Sequence, residues 1–414
     1  MFDLVINNAS FVVTCDSNNR VLRDSSIAVS GNKIVAIQES GALQGKVHFD
    51  ARGKLLAPGL INTHTHLAMT LLRGWSEGVN LQGFLERVWA AEKVVMNPEN
   101  VFLGSKLGAL ESLLGGTTTT LDMYLFPEAA HRGAVESGLR HISGPIFFDF
   151  PGLDNLEWHQ RIALARNWSE VLREVGGPYV PTYLMPHATY TVSPEHLSEI
   201  AMLAESLGAS IHIHASENLK ENQDVQARFS QSPTEVLKES NILDRHTVLG
   251  HGVQLSARDI EILVSSKSAV AHCPGSNLKL ASGIADIKNY IDRGLTVSLG
   301  TDGCSSSNDL DMWSVMRLSG NLLANLNGAD SLKSIQIFRL ATIEGARAIG
   351  MGNSVGSIEI GKLADLMCIE LAKPHLIPMH DVFAQLVFAT GRADVSDVWV
   401  DGKQVIAEGR SSLI

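Results

Sequence analysis

The chain has 414 residues, 45% hydrophobic and 19% charged. That is enough apolar material for a large core and too much for long disorder. Its 33 Lys and Arg against 44 Asp and Glu leave a net charge of -11, which argues against a nucleic-acid binder or a partner of anionic membrane, since both need a basic face. No apolar run is long enough for a spanning helix. Met1 to Asn8 has neither a basic start nor a long apolar core, so it does not read as a secretory signal. The four cysteines (Cys15, Cys273, Cys304, Cys368) are scattered without a Cys-x-x-Cys pair. The expectation is a cytoplasmic protein without a disulfide framework.

In chain order, the first sixty residues predict short strands. Asp3 to Asn8 and Ser10 to Thr14 are β-rich, and Ser25 to Ser30 and Lys33 to Gln38 flank a Gly31-Asn32 turn. The middle alternates between apolar strand-like runs and helical patterns. Strands are expected at 60–66, 117–124, 141–148, 179–187, 210–216, 247–253, 269–274 and 296–301. Helical patterns cover 84–114, 194–207, 257–266 and 332–349. The end returns to strands at 365–370, 395–400 and 403–406, the last two around an Asp401-Gly402 turn. Eight strands alternating with helices over roughly 300 residues fit a (β/α)8 TIM barrel. The competing doubly wound sheet lacks a Gly-x-Gly-x-x-Gly after an early strand. The predicted architecture is an α/β barrel over 59–355 and a small β-sandwich domain built from 1–58 and 356–414.

Side chains at the C-terminal ends of barrel strands meet at one mouth. The first strand ends in His64-Thr65-His66, and residues two apart share a face. The fifth carries His212, His214 and Glu217, the sixth ends in His251, and the eighth ends in Asp302. A lone His-x-His or Asp is usually structural, but histidines and carboxylates at four strand ends are the pattern of a metal site. His212 lies one layer deeper and is expected to be a hydrogen-bonded core histidine.

These residues sit in longer motifs: APGLINTHTH at 57–66, GGTTT at 115–119, MPH at 185–187, HASE at 214–217, HCPGSN at 272–277, GTDG at 300–303 and GSIEIGKLADL at 356–366. In this combination, and over nearly its whole length, the chain resembles the amidohydrolase superfamily. It resembles the branch of cytosine and guanine deaminases and triazine chlorohydrolases. The resemblance implies that His64, His66, His214 and Asp302 hold one divalent metal, Zn²⁺ with Fe²⁺ as the alternative. His251 would stand by the attacking water as ligand or hydrogen-bond partner, and Glu217 would protonate the ring nitrogen beside the attacked carbon. Two-metal relatives need a bridging carboxylate, commonly a modified lysine from the fourth strand. Residues 179–187 hold no Lys or Glu, so a single metal is expected.

LLRG at 71–74, WAAE at 89–92, DMY at 122–124, HATYTVS at 187–193 and SNLKLASG at 276–283 are most similar to the 5'-methylthioadenosine and S-adenosylhomocysteine deaminases. By that resemblance Glu92 accepts from ribose hydroxyls and His187 lines the nucleoside pocket. Trp75 and Trp89 are candidates to stack on adenine. The implied reaction is hydrolytic deamination of an adenine nucleoside. The alternative is an aminohydrolase or chlorohydrolase of guanine, an oxidised purine, a pterin or an s-triazine. No Arg or Lys stands between Arg140 and Arg161, where some such deaminases carry arginines that meet an amino-acid tail. A neutral methylthio tail is therefore expected over a zwitterionic one. The expected partner is a small heterocyclic or nucleoside substrate, and relatives of this kind often form homo-oligomers.

Overall fold

The computed structural model describes residues 1–39 and 43–414. Strands from both ends of the chain join one nine-stranded sheet. Its long strand Phe2–Val13 pairs antiparallel with Val21–Ser30. The same strand pairs parallel with Gly45–Asp50 along its first half and with Lys54–Pro58 along its second. Lys54–Pro58 then pairs with Leu366–Glu370, which brings the C-terminal strands in. Alternation along these central strands divides the core. Leu56, Leu366 and Cys368 face a small cluster with Ile6, Ile27 and Trp399, while Leu55, Ala57, Met367 and Ile369 face the main core.

The parallel strands of the middle form two hydrogen-bonded arcs. One arc joins Asp302–Gly303, Leu60–His66, Thr117–Asp122 and Arg140–Ile142. The other joins Ile146–Phe147, Tyr183–Pro186, Ser210–Ala215, Thr247–His251, Ala269–His272 and Thr296–Leu299. The expectation of a single closed ladder is corrected on this point. The expected third strand is split by Ser143-Gly144-Pro145, where proline offers no N–H. The expected eighth is split at Gly300-Thr301, just before Asp302 turns left-handed at φ 61°. Each split strand leaves one half in each arc, so the covalent chain crosses both seams where the ladder does not. The strands of 1–58 and 356–414, expected to form a small β-sandwich domain, lie in the one mixed sheet described above.

Helices follow their local signals. The pattern over 84–114 resolves into Leu81–Val95 and Pro98–Leu114, separated where Asn97 caps the second helix through its side chain ahead of Pro98. The pattern over 332–349 likewise divides into Ser334–Leu340 and Ile343–Ala348. No helix among the described residues is long and apolar enough to cross a membrane.

A buried ion pair ties the terminal sheet to the parallel strands. Arg140, fully buried at the start of its strand, donates from Nε and Nη2 to the two oxygens of Asp365, both at 3.0 Å. It also reaches Asp401 at 3.2 Å and the Tyr179 carbonyl at 2.7 Å. Removing one member strands the other charge out of water. Arg140→Met should therefore lower unfolding free energy by about 3–5 kcal/mol, measured by urea denaturation. The double variant Arg140→Met/Asp365→Leu should recover part of that loss.

Candidate active site

Leu60–His66 is buried along its whole length, and alternation puts His64 and His66 on the same side. Each imidazole at the mouth is oriented by an acceptor at its Nδ1. His66 Nδ1–H donates to the Met123 carbonyl at 2.5 Å and His214 Nδ1–H to the His187 carbonyl at 2.8 Å. His251 Nδ1–H donates to Asn277 Oδ1 at 2.9 Å. These bonds turn each Nε2 inward, where it is a lone pair whenever the ring is neutral. His64 Nδ1 meets His212 Nε2 at 2.7 Å, and its own Nε2 is buried with no hydrogen-bond partner. His66 Nε2 and His214 Nε2 face each other at 3.4 Å. Asp302 Oδ1 lies 3.2 Å from His66 Nε2 and 3.6 Å from His64 Nε2.

Among the described residues, His64, His66 and His214 form one group able to hold a metal, and His64, His251 and Asp302 a second. They share His64, so the expected ligands and His251 converge on one point. Three imidazole nitrogens and a carboxylate oxygen, with the His64 nitrogen buried and without a partner, are a donor set for a divalent cation.

The backbone is bent to achieve this. Ser216, His251 and Asp302 all occupy the left-handed region, with φ of 52°, 71° and 61°. Two glycines give the room: a Cβ on Gly250 would stand 3.2 Å from the His64 ring, and one on Gly300 2.8 Å from the His64 carbonyl. Asp302 is held in turn by Gly303 N–H at 2.7 Å and Ser306 Oγ at 2.7 Å. Strict alternation would send Glu217 away from His214. Instead the Ser216 turn directs it into the cavity, and the buried Glu221 carboxylate accepts the N–H groups of Ser216 and Glu217 at 3.2 and 2.7 Å.

A cavity opens beyond the cluster. His66, His214, Glu217, His251 and Asp302 line one end, and Glu92, His187, Trp89 and Tyr124 line the rest with apolar side chains. The two expected substrate residues, Glu92 and His187, therefore share one cavity with the metal cluster. Glu92 accepts from the Tyr124 hydroxyl at 2.5 Å. His187 Nδ1–H donates to Thr191 Oγ1 at 3.0 Å, because the Thr191 hydroxyl donates to the Ala188 carbonyl. His187 Nε2 is thus left as an acceptor. Trp75 is corrected: it is 63% exposed and lies off the cavity lining, while Trp89 is on it. Tyr124, Tyr190, Asn277 and Glu221 had no role assigned from sequence, although DMY at 122–124 had marked Tyr124's position.

Burial pushes the Glu217 carboxyl up, with the His251 imidazole only partly offsetting it. Burial also raises Glu92 to about 7 against the Tyr124 hydrogen bond, and lowers His187 and His212 to about 3. Burial and the surrounding imidazoles hold His64 and His214 well below the usual range. For Asp302 burial works upward, but the hydrogen bond and charge of His66 outweigh it and hold the carboxyl well below its ordinary range. His66 is lifted to about 9 by Asp302 despite burial.

A family model described as the amidohydrolase family matches residues 55–405. A protein of Moorella thermoacetica named 5-methylthioadenosine/S-adenosylhomocysteine deaminase is 37% identical over 389 residues, covering 92% of this chain and 90% of the relative. A 5'-deoxyadenosine deaminase of Methanosphaera stadtmanae is 35% identical over 395 residues, 95% of this chain and 92% of the relative. The crystal structure of an adenosine deaminase from Xanthomonas campestris with bound zinc superposes with a TM-score of 0.94 at 35% identity, covering 99% of this chain and 94% of that one.

Because His66 carries a proton up to pH about 9 in the metal-free site, a cation must displace it. Divalent metal uptake at neutral pH should release about one proton, and apparent affinity should rise about tenfold per pH unit up to about 9. Calorimetric titration in buffers of different ionisation enthalpy measures both. His214→Ala should weaken metal binding at least 100-fold.

Proposed function

The chain belongs to the amidohydrolase family, and from that premise we propose that it deaminates adenine nucleosides hydrolytically, with 5'-methylthioadenosine preferred. The observation that carries the reading is one cavity with the imidazole–carboxylate cluster and a buried acid at one end and a second buried carboxylate, Glu92, on its wall. Free bases lack a diol, whereas a ribose offers two hydroxyl donors to a two-oxygen acceptor. Residues 59–355 are read as the catalytic barrel, braced by a composite domain from 1–58 and 356–414.

His64, His66, His214 and Asp302 would hold the divalent metal, which we take as zinc. When bound, the metal supplies Lewis acidity and lowers the pKa of water from 15.7 to roughly 7. Glu217, whose carboxyl burial pushes up, donates to the ring nitrogen beside the carbon that carries the amine. The oxygen of water adds to that carbon. His251 and Asp302 take one proton from the water and pass it to the departing nitrogen, and the remaining hydroxyl proton restores Glu217 as the carbonyl forms. His251 Nε2 stands 3.7 Å from Glu217 Oε2, so acid and base work on adjacent atoms. One water is consumed and one ammonia released. His187 Nε2, an acceptor, and Trp89 hold the nucleoside on the opposite wall.

The 5' substituent fits an outer cleft that shares Trp89, Glu92, Leu125 and Phe148 with the inner cavity and adds Phe150, Pro151 and Leu153. Arg161 does not serve it. Its guanidinium is buried in a two-bond pair with Asp154 at 2.7 and 3.0 Å and donates to the Ile146 carbonyl. The wall after the third strand thus offers rings and no free cation to a charged tail.

The test is metal-replete protein with 5'-methylthioadenosine, S-adenosylhomocysteine, adenosine and guanine, followed by ammonia release and the adenine-to-hypoxanthine absorbance change. The methylthio nucleoside should give the largest kcat/KM. A larger value for the homocysteine nucleoside would overturn the tail assignment and turn attention to Lys93, the cation at the cleft edge. Turnover of free bases alone would overturn the nucleoside reading. Glu92→Ala should lower nucleoside kcat/KM at least 100-fold and barely change turnover of any base. Glu92 must be ionised to accept from both hydroxyls and titrates near 7. Nucleoside kcat/KM should therefore rise with pH through about 7, and that limb should disappear in Glu92→Gln.

A further inference from the structure

We propose that His212, which lies outside the ligand set, is a positioning residue that fixes the tautomer of His64 and so presents the His64 Nε2 lone pair to the metal. The inference rests on the reading of His64, His66, His214 and Asp302 as a metal site.

The hydrogen bonds dictate the proton positions in sequence. The Val248 carbonyl can only accept, so His212 Nδ1, 2.9 Å away, carries a hydrogen. A neutral imidazole has one N–H, so His212 Nε2 is an acceptor. His64 Nδ1, 2.7 Å from it, must then be the donor. His64 Nε2 is left without a hydrogen, and it is the buried nitrogen without a partner at the centre of both candidate ligand groups. The other tautomer of His64 would put a hydrogen on Nε2 and abolish the ligand. Its Nδ1 and His212 Nε2 would then be two lone pairs in contact.

The other inward imidazoles need no such device. His66 and His214 donate to backbone carbonyls and His251 to a side-chain amide oxygen. His64 sits over Gly250, where even a methyl would crowd its ring at 3.2 Å. The acceptor that serves it is the carbonyl of Val248, two residues down that strand. His212 bridges the interval, taking one hydrogen bond and passing on another. Both its contacts are made by nitrogens of fixed separation on one flat ring, in a position with no exposure to solvent. An outer partner that orders a metal-bound histidine in this way is typically worth a 10- to 100-fold difference in metal affinity.

Four variants separate this from packing. His212→Gln places an acceptor oxygen near the position of Nε2. His212→Asn keeps a donor toward Val248 but falls short of His64. His212→Phe keeps only the ring shape, and His64→Ala is the control for the site itself. Zinc affinity is read by competition with a chromogenic chelator, the ligand field by the visible absorption of the cobalt-substituted protein, and folding by thermal unfolding of the metal-free proteins. We expect His212→Asn and His212→Phe to bind zinc 10- to 100-fold more weakly with a shifted cobalt band. His212→Gln should return to within a few-fold of the parent. Parent-like zinc binding by Asn and Phe, with binding lost in His64→Ala, would overturn the role of His212 and leave the metal site intact. Equal losses in Gln and Asn would also overturn it, because packing would then be the cause. Parent-like binding by His64→Ala would instead overturn the metal reading. If the Phe variant does not fold, the Gln and Asn pair decides.

Discussion

Each imidazole at the mouth has its outward nitrogen tied down, and everything else in the site depends on that. A free histidine divides its proton between two nitrogens and rotates about two bonds. Here carbonyls of Met123 and His187, the amide of Asn277 and the ring of His212 select one tautomer and one ring orientation each. The parallel strands supply this order because their C-terminal ends bring carbonyls and side chains to the same level. The His214 strand is a good example. Its neighbour's end at His187 supplies both the acceptor for His214 and a lining side chain of the cavity.

Burial then sorts the carboxylates into different jobs. Asp302 is surrounded by imidazoles and is held well below its ordinary range, while burial pushes the Glu217 carboxyl up against the charge of His251. Glu92, with a tyrosine hydroxyl as its partner, is raised by burial to about 7. One protein interior thus offers an anion, an acid and a titratable acceptor within a single cavity. Water exclusion is the common cause, and the apolar wall of Phe84, Val88, Leu81 and Ile146 maintains it.

Much of this was legible in the residues. His64, His66, His214, His251 and Asp302 could be grouped because strand ends in a parallel α/β fold converge, and period-two alternation made His64 and His66 companions. Two things were hidden. Strand continuity through Ser143-Gly144-Pro145 and Gly300-Thr301 depends on local backbone angles that apolar patterning does not report. The direction of Glu217 depends on one left-handed residue, Ser216, and on a glutamate four positions later that accepts its N–H. Trp75 and Trp89 were equivalent as aromatic residues near one segment; only the path of the chain after Arg73 separates an exposed ring from a cavity wall. The partner of His64 was invisible for a different reason. His212 read correctly as a core histidine with a hydrogen bond, but which group it bonds is a property of two strands at once.

The three left-handed residues at the floor of the cavity carry a cost in conformational energy. Ser216, His251 and Asp302 each hold a side chain where glycine is at ease, at about 1 kcal/mol or more apiece. His251 and Asp302 cannot be relaxed to glycine without losing the groups that line the cavity. The surrounding core must therefore supply a surplus to keep them bent. Thermal tolerance and turnover in this molecule are therefore in opposition at His251 and Asp302.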